Sequence, residues 1–273
     1  MIQSAAFGVQ AASTAFDRMA SSYDAVFTES AVGRAQRHVV WNALKRTFRA
    51  GQRVLELNCG TGVDALFLAG RGISVLACDA SAGMIGVAER RKADRSAPVS
   101  AEFRVLRNEN LELLGDAGRF DGVLSNFSGL NCVADVRQVA ENLGKLVRPD
   151  GAALLCISTR ICLWEIAWHG SRTRFRKAFR RVRGQTIAQL DGLSVPVWYP
   201  TIREMRRAFL PWFRLRSVRA VGLFVPPSYV EGWARSHKKV LKVLEAMDQV
   251  CAAWPLLRGV GDHVLLEFRR TRS

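Results

Sequence analysis

Arg53 to Asp64, RVLELNCGTGVD, sets an apolar strand, a glycine turn and the opening of a helix in direct succession. Val54, Leu55 and Leu57 suit a strand buried on both faces, as in a parallel sheet. Gly60 and Gly62 allow a tight turn and let a ligand approach the backbone without meeting a side chain. The helix predicted from Val63 to Ala69 then aims its first amides at whatever occupies the turn. Such a turn is a seat for a nucleotide-like or zwitterionic ligand.

Around it the pattern alternates. Upstream, AFDRMASSYDAVF (15–27) has helix-like spacing, and Val32 to Ala50 is amphipathic along Val39, Val40, Trp41, Leu44 and Phe48, with Gly51 closing it. Residues 1 to about 12 read as weakly ordered. Downstream, strands are expected at ISVLACDA ending at Asp79, at AEFRVLR (101–107), at FDGVLS (120–125) and at Ala152 to Ile157. Helices from Met84 to Arg91, with Ser81 as N-cap, and from Val136 to Leu146 separate them. Strand and helix in alternation predict a doubly wound, Rossmann-like α/β fold.

Beyond Ser158 the rhythm breaks. Residues 160–200 carry Trp164, Trp168, the run RTRFRKAFRRVR and Trp198-Tyr199, with no evident sheet strand. They read as a helical lid insertion. Regular structure resumes with helices at Ile202 to Phe209 and Tyr229 to Val250, and strands at Phe213 to Val221 and His263 to Arg269. The whole is expected to be one domain with a seven-stranded, mostly parallel sheet whose last strand is antiparallel. Its parts are an N-terminal helical cap (1–50), a ligand-binding core (51–158), a basic aromatic lid (159–200) and the completion of the sheet (201–273).

Charge bears on partners. The chain has a formal net charge of +16, and from Arg160 to Arg219 fourteen Arg or Lys face three acids, Glu165, Asp191 and Glu204. Such a stretch attracts anionic surfaces or substrates, or is simply a solvated face. The six cysteines are scattered without metal-ligand spacing or a disulfide framework, which predicts no metal site and a reducing compartment. No secretory signal or membrane-spanning run is evident, so a cytoplasmic location is expected.

In an open α/β sheet, ligands sit outside the carboxyl ends of the strands. Glu56, the 58–62 turn, Asp79, the 107–110 loop and Ser125-Asn126 all fall at such ends. Asp79 is placed to accept hydrogen bonds from both hydroxyls of a ribose. The run Gly60-Thr61-Gly62-Val63-Asp64-Ala65 also satisfies a lax dinucleotide fingerprint, but no hydride-transfer site accompanies it. The phosphate-loop pattern of nucleotide triphosphatases is missing as well.

VLELNCGTG, CDAS about 20 residues on, FDGVLS, and LVRPDG before the fifth strand resemble the class I S-adenosylmethionine-dependent methyltransferases. FDRMASSYDAVF resembles the opening helix of the ubiquinone and menaquinone biosynthesis type within that family. The resemblance covers residues 15–157 and the last strand. It implies S-adenosyl-L-methionine as cofactor, with Glu56, Asn58, Cys59, Gly60 and Gly62 around its methionine part and Asp79 on the ribose. It further implies Ala80 and Met84 beside the adenine, Asn108 or Glu109 at its amino group, and Ser125 and Asn126 near the sulfonium. Phe16 and Tyr23 would close over the cofactor. Where such proteins often have glycine, this chain has Asn58, a residue that tolerates left-handed backbone.

A sulfonium methyl is already activated, so transfer mainly needs the acceptor held in line in a dry site. Tyr23 and His169 are the candidates for proton handling, whereas His38, His237 and His263 read as structural. The expected acceptor is a small or lipid-like molecule bound by Trp164, Trp168, Trp198 and Tyr199 under the lid. RTRFRKAFRRVR could rest on an anionic membrane. RNA methylation is the alternative, since arginine interleaved with aromatics also suits phosphate and base stacking. A noncatalytic methyltransferase-like binding protein is a third reading.

Overall fold

The computed structural model describes residues 2–115 and 120–272, with residues 2–9 described by their backbone alone. Strands β1 (Arg53–Leu57), β2 (Ser74–Asp79), β3 (Ala101–Val105), β4 (Phe120–Ser125) and β5 (Val147–Ser158) form parallel pairs. A hairpin, β6 (Gln185–Leu190) and β7 (Leu193–Trp198), stands apart as a two-stranded sheet. β8 (Phe213–Val221) and β9 (His263–Arg270) complete the main sheet in the order β3-β2-β1-β4-β5-β9-β8, in which β9 alone runs against the others. This is the expected seven-stranded, mostly parallel architecture. Strand order reverses between β1 and β4, so the ligand crevice opens where Leu57 pairs with Ser125.

Helices cover both faces. On one side lie α2 (Ala31–Thr47), α3 (Val63–Ala69) and α4 (Ala82–Ala93), after the N-terminal α1 (Ile2–Met19). Their apolar residues, among them Val40, Leu44, Leu66 and Ala88, share a core with Val54 of β1. On the other side α5 (Val136–Leu146) packs against Leu55 and Leu57. Successive strand residues point to opposite faces, so Glu56 shares its face with Val54 and points into the layer of α2 and α3. The expected N-cap of α4 is in place, with the Ser81 hydroxyl accepting from the Met84 amide at 3.0 Å.

Three expectations need correction. Residues 2–12, read as weakly ordered, belong to α1, whose Ala12 and Ala15 pack on Val195 of β7. The 160–200 stretch is not all helix. It holds α6 (Leu163–Gly170), the short α7 (Phe175–Ala178) and the β6–β7 hairpin. The hairpin turn is Asp191-Gly192, both residues at positive φ (45° and 75°), as a two-residue turn matching strand twist requires. After α8 (Ile202–Phe209), the helix expected over 229–250 is broken at His237 into α9 (Glu231–Ser236) and α10 (Lys238–Cys251).

Gly122 of β4 faces the Phe48 ring and the Ala152 carbonyl so closely that an added methyl would overlap both. Gly122→Ala should therefore destabilise the fold by about 1–3 kcal/mol through overpacking. A denaturant titration with an unchanged slope and a midpoint equal to wild type would contradict this.

Candidate functional site

At the carboxyl ends of β1, β2 and β4 lies a cavity of about 280 Å³. The turn after β1 forms its floor. Asn58 is left-handed, with φ 55°, and its side-chain oxygen accepts from the Ser125 hydroxyl at 3.2 Å and the Asn108 amide at 3.4 Å. Its side chain fills the space beside Gly129, where any Cβ would collide with it. Gly60 lines the cavity at φ 53°, and a Cβ there would meet nothing within 4 Å. Gly62 is tight for another reason. Its Cβ would come within 2.8 Å of Ala88 and the Phe103 ring, so glycine lets α3 pack on the sheet.

Asp79 stands at the end of β2 and lines the cavity. One carboxylate oxygen accepts from the Gly60 amide and the other from the Ser81 amide, each at 2.9 Å. A carboxylate offers about four acceptor positions, so two remain for a ligand. Burial pushes its pKa above the usual carboxylate range, and the amides of Ser81 and Gly60 oppose that shift. Ala80, Met84, Asn108 and Glu109 form the adjoining wall, and Phe16 and Tyr23 close the cavity from the N-terminal side. These two rings meet edge to face, 6.3 Å between centroids. The cap is fastened by polar contacts: Asp17 accepts from the Ser81 hydroxyl and the Gly83 amide, and Asp24 accepts from Thr61 and pairs with Arg91.

Some residues chosen from sequence lie elsewhere. Of the cofactor candidates, Glu56, Gly62 and Ser125 stand outside the lining. Glu56 is 1% exposed, its Oε2 has no hydrogen-bond partner, and burial beside Asp64 pushes its pKa well above the usual range. None of Trp164, Trp168, His169, Trp198 and Tyr199 lines the cavity. Trp164 donates to the Phe224 carbonyl, and Trp168 packs between Arg172 and Tyr229. The His169 ring leans on Tyr229, and burial lowers its pKa. Tyr199 is buried beneath the Arg181 guanidinium. Trp164, Trp168 and His169 thus pack on the 224–229 segment; Ala188, Leu190 and Val197 of the hairpin reach the cavity instead.

Two further residues were not foreseen. Arg37 of α2 lines the cavity and pairs with Asp64 of α3 at 2.8 Å. Asp64 also accepts from Asn126 at 2.8 Å and Trp41 at 2.6 Å. Arg37 Nε is buried without a partner, and the guanidinium lies 5.0 Å from the Phe127 ring centroid. The signal was in the helix pattern: Arg37 lies three residues before Val40 and seven before Leu44, on the stripe expected to be buried. Likewise Leu190-Asp191-Gly192-Leu193 carries the Asp-Gly hairpin signature between strand-like runs.

The site holds a half-buried phenol. The Tyr23 hydroxyl has no hydrogen-bond partner among the described residues, and burial pushes its pKa up to about 12 against the opposing charge of Arg37. At neutral pH it is therefore a hydrogen-bond donor rather than a base. Tyr199 and Tyr229, the remaining tyrosines, are shifted upward by burial too. At pH about 10, where a free tyrosine is half ionised, the native protein should show less phenolate absorbance than the unfolded chain. The unfolded chain should show about half of its phenols ionised. Equal signals from the two states would refute this assignment.

The residues present suit an adenosyl sulfonium ligand: open space over Gly60, spare acceptor capacity on Asp79, and apolar walls from Phe16 and Met84. Residues 54–151 match a family profile described as a methyltransferase domain. The chain is similar to a protein named demethylmenaquinone methyltransferase from Clavibacter sepedonicus, 34% identical over 53% of this chain and 56% of that one. A protein of the same name from a Parafrankia species is 30% identical over 76% of this chain and 84% of that one. The chain spans only about half the length of several such relatives, 53% for those of Paenarthrobacter aurescens and Beutenbergia cavernae. Among solved structures, an S-adenosylmethionine-dependent methyltransferase from Mesorhizobium loti has the same fold (TM-score 0.56, 18% identity, covering 85% of this chain and 98% of that one). So does one from Methanosarcina mazei (TM-score 0.58, 15% identity, 84% and 96%). The chain belongs to the class I S-adenosylmethionine-dependent methyltransferases.

Proposed function

We propose that the protein methylates an apolar small-molecule acceptor of the quinone class, with S-adenosyl-L-methionine as donor. The observation that carries this reading is that two unlike sets of residues line one cavity. Gly60, Asp79 and Asn108 come from the turn after β1, the end of β2 and the loop after β3, while the apolar Phe127, Val133, Leu190 and Val197 come from the loop after β4 and the hairpin. A donor on the glycine turn and an acceptor against the hairpin would share an enclosed space that excludes water. Relatives named for demethylmenaquinone support the acceptor class. Such acceptors are lipid-soluble, so peripheral contact with an anionic bilayer belongs to the same reading.

When bound, the cofactor supplies a methyl group already activated on sulfur. Asp79 would hold the ribose hydroxyls, with Asn108 and Glu109 at the adenine edge. The hairpin and α1 act as the lid over both ligands. Arg37 and Tyr23 orient the acceptor, since both line the cavity and both retain donor capacity. A ring hydroxyl that has given its proton to solvent before the site closes is a better methyl acceptor, or activates its ring carbon, whose own proton would pass to solvent after transfer. A guanidinium and a phenol O–H stabilise the resulting oxyanion.

The direct test is incubation with S-adenosylmethionine and a short-chain reduced demethylnaphthoquinone, with mass spectrometry of the products. A methylated quinol and S-adenosylhomocysteine are expected. By calorimetry, Asp79→Ala should weaken S-adenosylhomocysteine binding about tenfold or more, as loss of charged hydrogen bonds implies. Binding of NADH in its place would overturn the assignment. Arg37→Gln should lower turnover of the quinol by about tenfold or more while leaving S-adenosylhomocysteine affinity within about threefold. Arg37→Lys should recover part of the loss. Unchanged turnover in Arg37→Gln would remove Arg37 from the acceptor site.

A further inference from the structure

The 172–183 run, expected to meet anionic headgroups, has part of its charge committed inside the protein. Arg180 and Arg181 both pair with the buried Glu165, at 2.5 and 2.7 Å, and Arg181 also pairs with Asp262 at 2.9 Å. Arg172 lies over the Trp168 ring. Another surface has the opposite character. One face of α10 is buried against the body, with Leu241 in a cluster with Val32, Ala35, Val225 and Ala234, and with Asp248 accepting from the Phe224 and Val225 amides. Its other face carries Val240, Val243, Met247 and Val250, and Trp254 continues the line just past the helix. The spacing of three and four residues makes this a continuous stripe. All five are exposed, Val243 by 59% and Val250 by 71%, and the turn beyond presents Leu256 at 91%.

Cations surround the stripe. Lys238, Lys239 and Lys242 stand at its start, exposed and without an acidic partner among the described residues. At its other end Leu256 and Arg258 share a surface groove with Arg203, Arg206 and Arg216 of α8 and β8. These arginines are likewise exposed and have no acidic partner among the described residues. The nearby acids are committed: Glu245 to His38, Glu204 to Arg160 and the start of α8, and Asp248 to backbone amides.

We propose that the α10 stripe and its cationic surround form a docking face for a bilayer surface rich in anionic phospholipid. The proposal gives the peripheral contact of the preceding reading a location and rests on that reading for its purpose. Valines, Met247 and Trp254 would enter the headgroup and acyl boundary, and the lysines and arginines would lie among the phosphates. Charge decides against a second copy of the chain. A two-fold contact sets a patch against itself, which here would oppose cations to cations whichever ends of the stripe meet. The site lies one helix layer from this face, because Leu241 of α10 packs with Val32 and Ala35 of α2, the helix that carries Arg37 to the cavity.

The test is sedimentation of the full chain with phosphatidylglycerol vesicles and, separately, phosphatidylcholine vesicles, at low and high salt. Binding to phosphatidylglycerol alone is expected, weakened about tenfold or more by high salt. The double variant Val243→Asp/Val250→Asp alters exposed positions and should lose vesicle binding at least about tenfold. Its thermal midpoint and S-adenosylhomocysteine affinity should stay at wild-type values. Lys→Gln changes at 238, 239 and 242 should each weaken binding by about fivefold. Undiminished vesicle binding by the double aspartate variant would overturn the docking face, and so would a wild-type dimer that this variant dissociates. Tighter salt-sensitive binding to single-stranded RNA than to vesicles would overturn it as well. Quinol methylation in detergent reports on the catalytic reading alone, so the two can fail separately.

Discussion

Asp64 is the buried charge on which the site is built. Its carboxylate takes Arg37 and Trp41 from α2 and Asn126 from the end of β4, and it sits in the first turn of α3. Three segments that are distant in sequence therefore share one carboxylate. Removing one partner of such a pair leaves the other charge buried and uncompensated, which costs far more than a surface ion pair contributes. The arrangement also sets the state of its neighbours. Burial drives Glu56, on the same side of the sheet, toward its protonated form, and the Asp64 charge adds to that shift while Arg37 opposes it. Tyr23 in turn remains a phenol. Within the wall, Arg37 and Asp64 thus offset one another, and Asp79 stands as the acceptor.

Much of this was legible in the chain. The turn after β1 and the carboxylate ending β2 follow from an apolar run meeting glycine and from the position of Asp79, because strand ends of a parallel sheet converge. Asn58 illustrates a local rule overruled by another. Glycine is the easy residue at φ 55°, yet asparagine holds the same geometry and adds hydrogen bonds to Ser125 and Asn108. What did not follow from sequence depended on long-range pairing. Arg37 looked like one more charge on an amphipathic helix until Asp64 came alongside. Trp164 and Trp168 looked like pocket residues because large aromatics adjoin many ligand sites, but in the fold they anchor α6 to Phe224 and Tyr229.

The same distinction separates the two basic regions. By sequence, 172–183 is the denser run of positive charge, and density suggests a surface for anions. In the fold, the buried Glu165 holds Arg180 and Arg181. The Arg181 guanidinium binds its proton more tightly than usual because Asp262 and Glu165 flank it. Charge counts along a chain do not distinguish cations that neutralise an interior from cations left in solvent. Along α10 and α8 the cations are spaced more sparsely in sequence but share one face in space.

The β6–β7 hairpin joins the body through few polar links, chiefly the Asn131 amide donating to the Trp198 carbonyl and Arg18 reaching the Asp191 carbonyl. Its own ladder and its Asp-Gly turn give it a shape that owes little to the main sheet. The hairpin wall of the cavity is consequently a replaceable part. A lineage could lengthen, shorten or exchange these twelve strand residues to admit a different molecule, while the donor seat on the central strands carries on unaltered.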